Sequence, residues 1–155
     1  MLLSILPSIS LAFGESEETW SGNRTNQTID GGTHTITLSN LTIDSPGLGK
    51  SAIDITGNAD VTFILEGNNT LSGRPNHPAI WVQSGSSVTF EGTGTLNTSA
   101  GGTTPGFGAA GIGGGYGASS NFGNITINGG TIIARGSGGG AGIGGGYEVG
   151  SGTVT

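Results

Sequence analysis

Three short phrases recur in one fixed order, and no other feature limits the possible folds so sharply. The first is "TITL" (35–38), "VTFI" (61–64), "VTFE" (88–91) and "ITIN" (125–128), with "VT" (154–155) opening a further copy. The second is "NLTID" (40–44), "NTLSG" (69–73), "GTLNT" (94–98) and "GTIIA" (130–134). The third is "AIDI" (52–55), "AIWV" (79–82), "GIGG" (111–114) and "GIGG" (142–145). Extra residues fall in loops such as "TSAGGTTPGFG" and "GASSNFG". Internal repetition with period-two alternation and no helical period predicts stacked parallel strands, each paired with its equivalent one repeat away.

The alternation also sorts the faces. Ile36, Val61, Val88, Ile125 and Val154 are predicted to point inward, with Leu38, Phe63, Phe90 and Ile127 beside them. Thr37, Thr62, Thr89, Thr126 and Thr155 then form an outward threonine ladder. A slip of one residue would exchange the faces. Such a ladder could order water, as on ice-binding β-solenoids. Its neighbours Thr35, Asp60, Ser87, Asn124 and Thr153 do not form the repeated Thr-x-Thr ranks of those faces, so cross-strand threonine pairing is the reading taken.

Composition agrees with a thin core. The chain has 155 residues, 34 of them glycine, with 32% hydrophobic and 9% charged residues. That is too little aliphatic material for a thick two-layer domain, yet the net charge of −6 is not that of a disordered segment. Four basic residues against ten acidic ones give no footprint for nucleic acid or an anionic membrane surface. Without cysteine, disulfides and thiolate metal sites are excluded.

The opening "MLLSILPSISLAFGESEE" is read as the apolar part of a secretory signal, residues 1–14, cleaved after Gly14 and lacking the usual leading Lys or Arg. It is too short to span a bilayer. Residues 15–29 are read as a polar lead-in and 30–155 as the repeat domain, which stops inside a repeat at "GTVT" and is expected to continue in a longer protein.

Residues 106–111 and 140–145 each match G-x-G-x-x-G, a spacing that cradles phosphates when it joins a strand to a helix. No helical period follows either copy. Both align with "AIDI" and "AIWV", so the glycines are read as places where the chain stacks closely on itself.

"PAIWVQSGSSVTFEGTGTL", "AAGIGGG" and "GNITINGGTIIARG" resemble the right-handed β-helix repeats of bacterial and archaeal cell-surface proteins. Those include adhesin-like proteins and a β-helical carbohydrate-binding family, and the resemblance covers about residues 30–155. It implies an all-β, right-handed parallel β-helix of about four coils with three short strands each. It also implies a secreted or cell-surface module for adhesion or polysaccharide binding. The same coils elsewhere serve as stalks and as polysaccharide lyases.

Candidate sites are few. Trp81 should face outward between Asp54 and Gly113, offering an indole face and a carboxylate to a sugar ring, with Tyr116 and Tyr147 extending the strip. The competing structural reading has Trp81 folded down over a loop. Glu66 and Glu91 both precede a glycine; aligned on "EGNNTL" and "EGTGTL" they would lie one coil apart, as a glycosidase pair or a calcium site. Aligned on "VTF" they are offset by two residues, which leaves them as solvated turn residues. No cofactor is expected beyond calcium at those carboxylates. Lyase chemistry would need a base, and Lys50 near Asp54 is the best pair on offer. His34 and His77 have no zinc-spaced partner. Six N-x-S/T sequons occur, at Asn23, Asn26, Asn40, Asn68, Asn97 and Asn124.

Overall fold

A computed structural model describes residues 15–44, 49–117, 121–148 and 150–155. The segment read as a secretory signal lies outside the described residues. Within them the chain is all-β, with no α-helix, and therefore no helix long and apolar enough to cross a membrane.

Among the described residues fourteen strands follow in order: β1 Glu15–Asn23, β2 Gln27–Asp30, β3 Thr33–Ile43, β4 Ile53–Thr56, β5 Asp60–Glu66, β6 Asn68–Pro75 and β7 Ile80–Val82. They continue as β8 Ser87–Gly92, β9 Thr95–Gly101, β10 Ile112–Gly113, β11 Asn124–Ile127, β12 Thr131–Arg135, β13 Ile143–Gly144 and β14 Thr153–Val154. One sheet runs β12-β9-β6-β3-β5-β8-β11-β14, with β1 also on β3. The other runs β13-β10-β7-β4-β2. The pairings are parallel. The chain thus passes from one sheet to the other and back, and each pass lays its strands against those of the pass before.

Strand β3 is long because it turns the corner inside the first sheet. Its first part pairs with β5 and its last residues pair with β6. At the corner Asn40 adopts a left-handed backbone (φ 53°), which asparagine tolerates. Its side-chain oxygen accepts the backbone N–H of Asn68 at 3.1 Å. Gly67, at the same corner one pass later, leaves the space that this amide fills; a Cβ there would fall on Asn40 Oδ1.

The expected sorting of faces holds over β5, β8 and the start of β11; Val154, expected inward, is 46% exposed although it pairs with Ile125, and the register at β3 differs. Val61, Phe63, Val88, Phe90 and Ile125 are buried, while Thr62, Thr89 and Thr126 lie on the outer side. However, Ile36 pairs with Phe63 and Leu38 with Leu65, so Val61 stands beside His34. The threonine ladder accordingly starts at Thr35, and Thr37 stands beside Ile64. The register is set at the preceding turn, where Asp60 donates its N–H to Gly32 at 2.8 Å. A two-residue slip leaves every side chain on its face, so the apolar pattern could not expose it.

Residues 15–29, read as a polar lead-in, belong to the sheets. Strand β1 pairs with β3 along its whole length and β2 with β4. Trp20 and Ile29, each 4% exposed, are the anchors of this pass. The polar residues between them made it look solvated. Trp20 packs on Phe63 (6.4 Å between rings), and Phe63 packs on Phe90 (5.8 Å), forming an aromatic column through the core.

Two inward strand positions among the described residues are polar, Asn69 and Thr98. Asn69 is fully buried in the column between Leu41 and Leu96. Its oxygen accepts the Leu41 N–H at 2.9 Å, and its nitrogen donates to the carbonyls of Glu66 and Thr95 at 3.1 and 3.2 Å. A buried amide with these partners carries no unpaired penalty.

Candidate functional site

Strand β7 places Trp81 as expected. Ile80 and Val82 are fully buried and Trp81, between them, points outward with Asp54 on one side and Gly113 on the other. Alternation along a three-residue strand is enough to fix this. The indole is half-buried rather than open. His77 meets it edge-on at 5.6 Å, and Gly115 lies against its Cζ2 edge. Trp81 therefore combines the two sequence readings: it seals part of the flank and leaves part of its ring to solvent.

The tyrosines lie on the two passes that follow. Each follows "GIGGG" and is held the same way, with its backbone N–H donated to the loop of the pass before: Tyr116 to Asn76 O at 3.3 Å, Tyr147 to Gly108 O at 2.8 Å. Phe107, a residue the sequence reading left out, joins them. Its ring lies 5.1 Å from that of Tyr116, and the Tyr147 ring lies over the neighbouring Gly106. Phe107 is 47% exposed and Tyr147 40%, so these rings are surface rather than core. The signal for Phe107 was present in "TPGFG", where Pro-Gly sets a turn that holds the next aromatic away from the sheet. His77, which has no zinc-spaced partner in the sequence, carries no local signal for its contact with Trp81.

Glycines make this flank possible. Gly113 and Gly144 have φ of 129° and 133°, values that L side chains rarely adopt. A Cβ on Gly113 would fall on the Gly144 carbonyl oxygen. The backbones instead join directly, with Gly111 N–H to Ala141 O at 3.0 Å and Gly114 N–H to Gly144 O at 2.8 Å. Both G-x-G-x-x-G copies are thus spent on stacking, and no α-helix follows among the described residues.

Asp54 is set deeper than a sugar-binding carboxylate should be. Its Oδ1 is shut off from solvent and has no hydrogen-bond partner. Burial pushes the carboxyl above its ordinary value of 3.8; Ser51, His77 and Lys50 oppose the shift. The Ser51 hydroxyl lies close enough to contribute but falls short of full hydrogen-bond geometry. The expected contact between Asp54 and a ligand hydroxyl is therefore revised at Oδ1, which no ligand reaches without movement of the flank.

Glu66 and Glu91 do not face each other. Glu91 pairs with Ile64 and Glu66 with Ser39, the offset given by aligning on "VTF". Two residues along the strand and one strand across put their backbones roughly 8 Å apart. Both are exposed. Among the described residues no group of three or more His, Asp or Glu is placed to hold a metal ion.

Comparison with family models, with curated proteins and with solved structures finds no match for this chain.

Proposed function

We propose that this chain is a stretch of right-handed parallel β-helix, exported to the cell surface or beyond, that binds polysaccharide without altering it. The parallel sheets and the pass-by-pass pairing support the architecture, and the handedness follows the general rule for crossovers between parallel strands. The observation that carries the binding reading is the aromatic strip: Trp81, Tyr116, Phe107 and Tyr147, linked ring to glycine to ring along one flank. Exposed aromatic faces meet the C–H faces of sugars, and they are unusual on a chain with only 6% aromatic residues.

A lyase or hydrolase on the same scaffold is less well supported, because Glu66 and Glu91 are offset and open to water. A pure stalk has no need of four aromatic rings on one flank. The test is affinity electrophoresis of the full chain in gels containing plant and microbial polysaccharides, with calcium and with chelator. Retardation by at least one polysaccharide is expected, insensitive to chelator and weakened by Trp81→Ala or Tyr147→Ala in chains whose circular dichroism is unchanged. Retardation by none would defeat the proposal. Retardation lost only with chelator would move the site to the carboxylates.

A further inference from the structure

We propose that the aromatic strip is graduated: it takes an extended, uncharged glycan along the stacking direction, one sugar residue per pass, over three passes. This rests on the glycan-binding reading above and adds the ligand's direction, charge class and minimum length.

The direction comes from the equivalence of the tyrosines. Tyr116 and Tyr147 sit at the same place in successive copies of one phrase and make the same backbone bond to the loop beneath. The Gly115 carbonyl oxygen occupies the space that a Cβ on Gly146 would need, so the two passes are in backbone contact where they present their rings. Gly115 in turn lies against Trp81 on the pass before. From Tyr116 to Tyr147 the aromatic position therefore advances along the stack by one strand spacing, about 4.8 Å, and Trp81, whose strand partner is Gly113, meets the same line through its Cζ2 edge against Gly115. A pyranose residue in an extended, equatorially linked chain advances by a similar distance. A glycan lying across the strands in this direction meets one aromatic position per sugar, whereas one lying along a strand meets a single position.

The charge class follows from what the strip lacks. A uronate polymer carries a carboxylate on every sugar and needs a cation that recurs at the same interval. Lys50 stands near Asp54 at the Trp81 end, Arg74 lies in the turn whose Asn76 carbonyl accepts from Tyr116, and Arg135 ends β12, so cations do not recur at one equivalent place on each pass. The chain's net charge of −6 opposes a polyanion further.

The test is calorimetric titration of the full chain with cello- and chito-oligosaccharides from monosaccharide to hexasaccharide, beside oligogalacturonides of the same lengths. The expected result is affinity that rises with each sugar up to the trisaccharide and then levels off, with the oligogalacturonides weaker throughout. Tyr147→Ala, at an exposed ring on the last pass, is expected to move the plateau from three sugars to two while leaving disaccharide affinity intact. Equal affinity for mono- and hexasaccharide would overturn the graduated strip and leave a single-sugar site, with glycan binding itself intact. Tighter binding of oligogalacturonides would overturn the uncharged ligand. Retardation by polysaccharide without a response to either neutral series would also overturn it. Failure of every polysaccharide and oligosaccharide would bring down the glycan reading and this inference together.

Discussion

The passes up to Gly94 and those from Gly108 onward repeat the same strand order but are held by different forces. In the first region the interior is filled: Ile36, Leu38, Ile43, Ile53, Ile55, Phe63, Leu65, Leu71, Ile80 and Val82 are all essentially inaccessible. In the second the columns taper. The taper begins ahead of it: the series Ile43, Leu71, Thr98, Ala134 loses bulk at each pass after Leu71, and Leu65 is already followed by Gly92 at the end of the filled region. Strands β10 and β13 are two residues each, and glycines bring one backbone onto the next. One region draws on burial of apolar surface, the other on close backbone hydrogen bonding that side chains would block. The aromatic strip starts on the filled region at Trp81 and runs out over the glycine-rich one. A scaffold of glycine lets passes lie close together while its few side chains are kept for the surface.

If that contrast is right, the largest loss of stability should come from the filled region. Phe63 touches both Trp20 and Phe90, and Phe63→Ala removes the middle of the column. The expected cost is about 3–5 kcal/mol, seen as a lowered midpoint of global urea unfolding. A cost below about 1 kcal/mol would mean that the column is not what holds the early passes.

Gly113→Ala should act differently. Its φ of 129° disfavours any side chain, at roughly 1–3 kcal/mol, and the new methyl would collide with the Gly144 carbonyl. The damage should stay local, because only β10, β13 and what stacks on them depend on that contact. Limited proteolysis is expected to cut the last passes while residues 27–94 stay protected and the main unfolding midpoint moves little. A global loss matching that of Phe63→Ala would erase the distinction between the regions.

Much of this contrast was legible beforehand, and the reasons for the exceptions are physical. Alternation in "VTFI" and "VTFE" sorted Val61, Phe63, Val88 and Phe90 inward, because a strand offers each side chain only two directions. The phrase "GIGGG" announced stacking once no helix could follow it. The partner of Val61 was not legible, because a two-residue slip leaves the inward and outward sets unchanged. Residues 15–29 hid their two anchors among polar neighbours. Trp81 could be given a direction but not a depth, because its exposure depends on His77 and Gly115, whose backbones arrive from a turn and from another pass. The offset of Glu66 and Glu91 had two possible alignments, and only the turn geometry chose between them.

Asn69 tests whether the filled region depends on apolar volume alone. Asn69→Leu keeps the branching at Cγ, adds apolar volume and extends the aliphatic column of Leu41 and Leu96, yet it strands the Leu41 N–H and the carbonyls of Glu66 and Thr95. The expected result is a loss of about 1–3 kcal/mol in urea unfolding, because buried groups without partners cost more than the added methyls return. A gain would show that volume dominates even there.

The smallest effect is expected at Asp54, where the filled region meets the strip. Burial raises its carboxyl above 3.8, against the opposing influence of Ser51, His77 and Lys50. A raised acid binds its proton more tightly in the folded chain than in the unfolded one. Its contribution to stability is therefore complete below the ordinary aspartate range and is lost as pH rises through the raised value. Above that raised value the wild-type chain holds an ionised carboxylate with one orphaned oxygen, Oδ1. Asp54→Asn removes that charge and is expected to raise Tm slightly at pH 7. The advantage should shrink as the pH falls towards the ordinary aspartate value, where the wild-type carboxyl is neutral as well. Thermal scans of both chains across that range decide the point. A lower Tm for Asp54→Asn at pH 7 would mean that Lys50 and His77 outweigh the burial, and that the charge beneath Trp81 is a stabilising part of the flank.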